Sequence, residues 1–172
     1  RDVVFFGRWS RDKGVEDLVA CMEKTKPGIS CEIYTNEVPK ESYRGCKISS
    51  WVDETEVLEV MRTSKLLVLP SHSEAFPMVL LEAAACGTPF VASSVGGVPD
   101  IVEQSGAGIL FEAGDREAMR AGVERLMHDD KEWRRLSLNG RLWAQGVRQS
   151  AVCSQWARLY SDLASRGRHR RL

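Results

Sequence analysis

Short apolar runs separated by amphipathic stretches set the strongest limit on how this chain can fold. Val3-Val4-Phe5-Phe6, closed by Gly7, predicts a buried strand over Val3–Gly7. Further strands are predicted at Cys31–Tyr34, Lys47–Trp51, Leu66–Leu69, Phe90–Ser93 and Gly108–Phe111. Between them, helical periodicity predicts helices at Val15–Lys24 and Glu54–Thr63, one from Met78, and a short one at Pro99–Gln104. A turn-rich passage, Asn36 to Gly45, stands where another helix could be. From Asp115 onward strand signals cease, and Asp115–His128, Lys131–Gln145 and Gln149–Ser165 read as helices. This alternation predicts an α/β, Rossmann-like domain: a parallel sheet with helices on both faces.

Within that frame one stretch carries chemistry. Glu74 and Glu82 stand eight residues apart, with Phe76-Pro77 and the start of an almost wholly apolar helix between them. Pro77 suits a helix start, where its missing N–H is no loss. It also drives Phe76 out of the α region, so Glu74 belongs to the preceding loop. Glu82 lies one turn in, and helical side chains lean toward the N-terminus. Both carboxylates can therefore face one space above the helix mouth. The N–H groups of Met78, Val79 and Leu80 point into it, and the helix dipole favours an anion there. Phosphates and several hydroxyls, as in a nucleotide sugar, fit such a site. On the structural alternative, Glu82 is a buried carboxylate needing partners on a helix buried all round, and Glu74 an ordinary loop charge. The residues of this stretch leave both open.

Cations stand where phosphates would need them. Arg8 leaves the end of the first strand, and Lys13 sits at the start of the next helix. A cation there opposes the helix dipole, and a bound diphosphate would account for it. A solvated lysine in a charged loop is the alternative. Gly96-Gly97 could let the backbone approach a ligand or make a tight turn before the next helix.

Taken in order, these segments resemble the C-terminal, donor-binding domain of the retaining glycosyltransferases of family 4, which have the GT-B fold. Gly7-Arg8 followed by Lys13-Gly14 is similar to that family's G-R-x-x-x-x-K-G. Pro70-Ser71-His72-Ser73-Glu74-Ala75-Phe76, running to Glu82, is similar to its P-S-x-x-E-G-F and E-x7-E motif. Cys86-Gly87-Thr88-Pro89, Val95-Gly96-Gly97-Val98-Pro99, and Gln155-Trp156 with Tyr160 match later segments, so the resemblance covers nearly the whole chain.

The resemblance implies roles residue by residue. Arg8 and Lys13 would hold the donor's diphosphate, Glu74 would bond hydroxyls of the sugar, and Glu82 would bond those of the ribose. Gly7, Met78, Val79, Leu80, Gly96 and Gly97 would complete the donor site. The family transfers a sugar from a nucleotide donor with retention at the anomeric carbon. It usually does so without a metal or other cofactor, because cations and helix N-termini steady the leaving diphosphate. The base is left open among UDP, GDP and ADP, since Ser50 stands near the expected base pocket where a glycine is common. Ala75 and Pro77 also replace family glycines, and the Tyr34-Thr35-Asn36-Glu37 turn departs from the family.

At 172 residues the chain has the length of one domain. A GT-B enzyme has two, with the acceptor bound in the N-terminal one. Residues 1–172 are therefore expected to be a single nucleotide-sugar-binding domain whose partner domain lies elsewhere, on the same full-length chain or, as the lesser alternative, on a separate subunit. Such a domain is expected to bind donor but to be inactive alone. A related epimerase and a noncatalytic binding or assembly module are the competing readings. The first is disfavoured by the intact E-x7-E and R-x4-K spacings, the second by the presence of Arg8, Lys13, Glu74 and Glu82.

Composition narrows the setting. Lysine plus arginine balance aspartate plus glutamate at 24 each, so nothing marks a general nucleic-acid binder. Five cysteines without a C-x-x-C pair fit free thiols in a reducing, cytoplasmic setting. Cys21 and Cys86 read as small core residues, and the scattered His72, His128 and His169 suggest no metal cluster. The basic tail from Arg166 to Leu172 is either a solvated terminus or a peripheral contact with anionic lipid. In the last helix Val152, Trp156, Leu159 and Leu163 form an apolar stripe, expected to pack partly on this domain and partly on the missing one.

Overall fold

The computed structural model describes residues 1–168, with side chains described through Tyr160 apart from Gln149. Strands β1 (Val3–Phe6), β2 (Cys31–Thr35), β3 (Cys46–Ser50), β4 (Leu66–Leu69), β5 (Phe90–Ser93) and β6 (Gly108–Phe111) form one sheet in the order β3-β2-β1-β4-β5-β6. Every pairing between these strands is parallel. Helices α1 (Val15–Lys24), α2 (Glu54–Arg62), α3 (Met78–Cys86), α4 (Val98–Ser105), α5 (Arg116–His128), α6 (Asp130–Gly146) and α7 (Gln149–Arg168) follow the strands. The predicted α/β, Rossmann-like sheet is thus the observed one. The turn-rich passage after β2 crosses to β3 without a helix.

Alternation along the strands divides the core. Val3 and Phe5 of β1 face one side with Leu18 of α1 and Met119 and Val123 of α5. Val4 and Phe6 face the other, with Met61 of α2, Leu80 and Ala83 of α3 and Ile101 of α4. All four β1 residues are buried, which explains the continuous apolar run: a parallel strand covered on both faces has no polar side. Helix starts are set locally. Asp53 and Asp115 cap α2 and α5 by accepting the N–H groups of Glu56 and Ala118, each at 2.9 Å.

The sheet order positions the site. The chain runs outward from β1 to β3, then returns to begin β4 on the other side of β1. At such a reversal the loops after the two central strands part in opposite directions and leave a crevice at their carboxyl ends. Those loops carry Arg8 and Lys13 after β1, and Glu74 after β4.

In the last helix the described part of the stripe is largely exposed. Trp156 is 53% exposed, Leu159 is also exposed and Val152 half-buried, so this stripe is not covered by its own domain. The side chains of Leu163 and of the basic tail from Arg166 lie outside the described residues.

Candidate functional site

The loop after β1 begins at Gly7, which leaves room for the Phe5 ring: a β-carbon at Gly7 would stand 2.5 Å from it. Arg8 then projects outward, its side chain 66% exposed and 3.5 Å from Asp12. An ion pair this exposed is worth little, so the guanidinium is free to turn toward a ligand. The loop itself is anchored by the Trp9 N–H, which donates to Asn36 Oδ1 at 3.0 Å. Arg11–Lys13 form one 3₁₀ turn, and Gly14 caps α1 at φ 65°. Only glycine fits there, because a β-carbon would lie 2.0 Å from the Pro70 carbonyl oxygen.

That close approach locks the two loops together. The His72 N–H donates to the Asp12 carbonyl at 2.8 Å. Lys13 Nζ donates to Glu74 Oε1 at 2.7 Å, and Ser71 Oγ donates to the same oxygen at 2.7 Å. The placement of Lys13 against the local helix dipole therefore has an explanation within the protein. Glu74, with 10% of its side chain exposed, neutralises it from 61 residues away.

Gly96 and Gly97 serve the same loop. Gly96 has φ 52°, and a β-carbon on it would lie 1.7 Å from the Glu74 carbonyl oxygen. The Gly97 N–H donates to the Ala75 carbonyl at 3.0 Å. These glycines bring the β5–α4 connection against the backbone that carries Glu74, a contact that supports the site from behind.

Helix α3 departs from expectation in two ways. It is not buried all round: Leu80, Ala83 and Ala84 enter the core, while Met78 is 58% exposed and Glu82 half-buried. The Leu80 N–H is also not free, because it donates to the Pro77 carbonyl at 3.1 Å. The N–H groups of Met78 and Val79 have no backbone partner among the described residues, so the anion-receptive mouth of the helix consists of these two.

Glu82 needs no buried partner, and no side chain among the described residues bonds it. It lines a cleft of about 310 Å³ with Phe6, Trp51, Val57 and Val79. Partial burial, with Glu54 nearby, pushes its carboxyl above the ordinary value. An unpartnered acceptor at the edge of an apolar slot suits hydroxyl donors next to a flat ring. Trp51 was not singled out from the sequence. The sequence predicts it as the last residue of the strand Lys47–Trp51; the structure ends β3 at Ser50 and leaves Trp51 in the loop that follows.

A second cleft, of about 430 Å³, borders the Glu74 loop and is lined by Arg11, Gly14, Glu16, Asp17, His72 and Arg116. Asp17 accepts from His72 Nε2 and from Arg116 Nε, each at 2.7 Å. Burial works against its charge, but the bonds from Arg116 and His72 outweigh this and hold its carboxyl below the usual value. His72 therefore has a structural partner. Among the described residues, no three His, Cys, Asp or Glu side chains are grouped so as to hold a metal, and no helix is long and apolar enough to cross a membrane.

Known proteins are similar to this chain in sequence and in fold. The family model described as "Glycosyl transferases group 1" matches residues 1–143. Glycogen synthase of Mycobacterium tuberculosis is 30% identical over 142 residues, covering 74% of this chain and 34% of that protein. Alpha-maltose-1-phosphate synthase of Mycolicibacterium smegmatis is 32% identical over 162 residues, covering 81% of this chain and 42% of that protein. Sucrose-phosphate synthase from Thermosynechococcus elongatus superposes with a TM-score of 0.82 at 28% identity, over 95% of this chain and 46% of that one. The Anabaena protein Alr3699/HepE, solved in complex with UDP-glucose, shares the fold with a TM-score of 0.78 at 21% identity, over 93% of this chain and 48% of its own. This chain thus spans less than half the length of each of these proteins.

Proposed function

Because this chain belongs to the glycosyl transferases group 1 family, we propose that it is the donor-binding domain of a retaining glycosyltransferase. One observation carries the reading. Lys13 and Glu74 bond across the loops of the β1–β4 reversal, Arg8 stands exposed in the first of those loops, and Glu82 lines a neighbouring cleft on α3; each suits a different part of a nucleotide sugar.

Arg8, Lys13 and the N–H groups of Met78 and Val79 face the diphosphate. As the anomeric C–O bond breaks, charge builds on the departing phosphate oxygen, and fixed donors placed there lower the barrier without reorganising. Lys13 has three donors, and its bond to Glu74 leaves two for phosphate. Glu74 lies beside the diphosphate position and takes the sugar hydroxyls. Glu82 takes the ribose hydroxyls, while Trp51 and Phe6 enclose the base. The acceptor hydroxyl that forms the new bond and gives up its proton is bound by another domain. The crystallised complex of Anabaena HepE with UDP-glucose supports a nucleotide-sugar ligand and makes uridine the first base to try.

Calorimetric titration with UDP, GDP, ADP and their hexose conjugates tests the proposal. Saturable binding of at least one nucleoside diphosphate is expected, with no sugar transfer by this chain alone. Silence across the panel contradicts donor binding, and transfer by the purified chain contradicts the division of labour.

A further inference from the structure

We propose that Asp17 is a positioning residue for Glu74, acting through the ring of His72. The inference rests on the reading of Glu74 as the carboxylate that meets the donor sugar.

The Glu74 loop has no regular structure of its own between β4 and α3. Its backbone is tied on the near side by the His72 N–H to Asp12. Behind, it rests on Gly96 and Gly97. Its carboxylate is tied by Lys13. That last tie is the one a ligand disturbs, because a phosphate arriving at Lys13 competes with Glu74 for the ammonium. The two backbone ties do not pass through the ligand, and a third such hold on the His72 side chain would stiffen the segment between them.

Asp17 supplies it. A carboxylate in the first turn of α1 is favourable on dipole grounds alone, and a solvated acid would satisfy that role. Asp17 is not solvated: its side chain is 14% exposed. One oxygen takes Arg116 at the start of α5 and the other takes His72, at 2.7 Å in both cases. The His72 bond requires Nε2 to carry a proton, and the imidazole then donates to a charged acceptor, the stronger kind of hydrogen bond. His72 is two residues before Glu74, and its neighbour Ser71 donates to Glu74 itself. Arg116 fixes Asp17, Asp17 fixes His72, and His72 fixes the segment from which Glu74 projects. Three elements leaving three different strands thus converge behind one carboxylate. A displacement of about 1 Å at such a carboxylate is enough to lose a well-oriented contact.

The test compares, by calorimetry, the affinity for a nucleoside diphosphate with that for its hexose conjugate, using UDP and UDP-glucose first. Wild type, Glu74→Gln, Asp17→Ala, His72→Ala and the double variant are measured alongside thermal midpoints. Asp17→Ala and His72→Ala should each lower the preference for the sugar conjugate by about tenfold, as loss of one hydrogen bond does. The double variant should lose no more than either single one, because residues acting as a unit are not additive. A general loss of stability would lower both affinities and leave their ratio unchanged. Should Asp17→Ala not fold, Asp17→Asn carries the same comparison, since it keeps the shape but loses the charge. An unchanged ratio in the Asp17 variants while Glu74→Gln shifts it, or additive effects of Asp17 and His72, overturns the positioning role. An unchanged ratio in Glu74→Gln overturns the sugar-binding reading of Glu74, and the inference with it.

Discussion

Lys13 Nζ and Glu74 Oε1 lie 2.7 Å apart, so the cation assigned to the diphosphate and the carboxylate assigned to the sugar share a bond. Each moderates the other. Replacing Glu74 by glutamine leaves the shape but removes the charge that competes with phosphate. Glu74→Gln should therefore bind nucleoside diphosphate tighter, by about two- to fivefold, the worth of a partly exposed ion pair. It should bind the sugar conjugate more weakly relative to the diphosphate. Calorimetry on the two ligands reads this, and weaker diphosphate binding would show that the pair assists phosphate binding instead.

Gly96 and Gly28 separate two reasons for a glycine. Both have positive φ, 52° and 99°, but a β-carbon at Gly28 would meet nothing within 4 Å, whereas one at Gly96 would strike the Glu74 carbonyl. Gly28→Ala should carry only the left-handed backbone cost, about 1–2 kcal/mol. Gly96→Ala adds a displacement of the Glu74 loop, so it should melt lower and lose binding of the sugar conjugate. Equal melting points for the two would mean that the loop yields freely.

Glu82 should make stability pH-dependent in a particular direction. Burial, with Glu54 nearby, raises its carboxyl above the ordinary value, so between the unfolded and folded pKa values the native state holds the extra proton. Its contribution to stability then falls as pH rises through that window and stays low above it. Glu82→Gln should raise the thermal midpoint at neutral pH. The gain should vanish below about pH 4, where the unfolded carboxyl is also protonated. A gain that persists in acid would point to packing rather than charge.

Much of this was legible in the sequence, and the gaps have physical reasons. Strands covered on both faces are apolar throughout in β1 and β4, and in β5 up to its last residue, Ser93, so these three announce themselves. Helix α3 misleads for the same reason: its uniform apolar composition reads as full burial, yet Met78 is exposed and Val79 lines the cleft beside Glu82. Composition records that a surface is apolar, not what covers it. Non-local pairs were the other gap. Lys13 at a helix start reads as a phosphate ligand or a solvated lysine, and neither reading contains its partner Glu74, which lies 61 residues on. Asp17 with Arg116, 99 residues apart, left no local trace at all. Trp51 falls at the end of the predicted strand Lys47–Trp51, and spacing alone does not separate a strand-end aromatic that packs in a core from one that lines a cleft.

Trp51 now gives a direct probe of the base. If it encloses the base with Phe6 and Val79, Trp51→Ala should weaken nucleoside and nucleoside diphosphate alike. The loss should be about 1–3 kcal/mol, as for other aromatic–base stacks. Indole fluorescence of the wild type should change on nucleoside binding and lose that change in the variant. A nucleoside that binds Trp51→Ala undiminished would place the base elsewhere.

The central claim is that this crevice holds a nucleotide sugar, with phosphate on the β1 side and ribose at Glu82. The most direct test is a titration of Arg8→Ala and Glu82→Ala with a nucleoside and with its diphosphate. Arg8→Ala should spare the nucleoside and weaken the diphosphate by about 1.5–3 kcal/mol, the loss of one charge-assisted contact. Glu82→Ala should weaken both, because the ribose is common to them. If Arg8→Ala weakened both equally, or Glu82→Ala weakened neither, the assignment of this crevice to a nucleotide sugar would be contradicted.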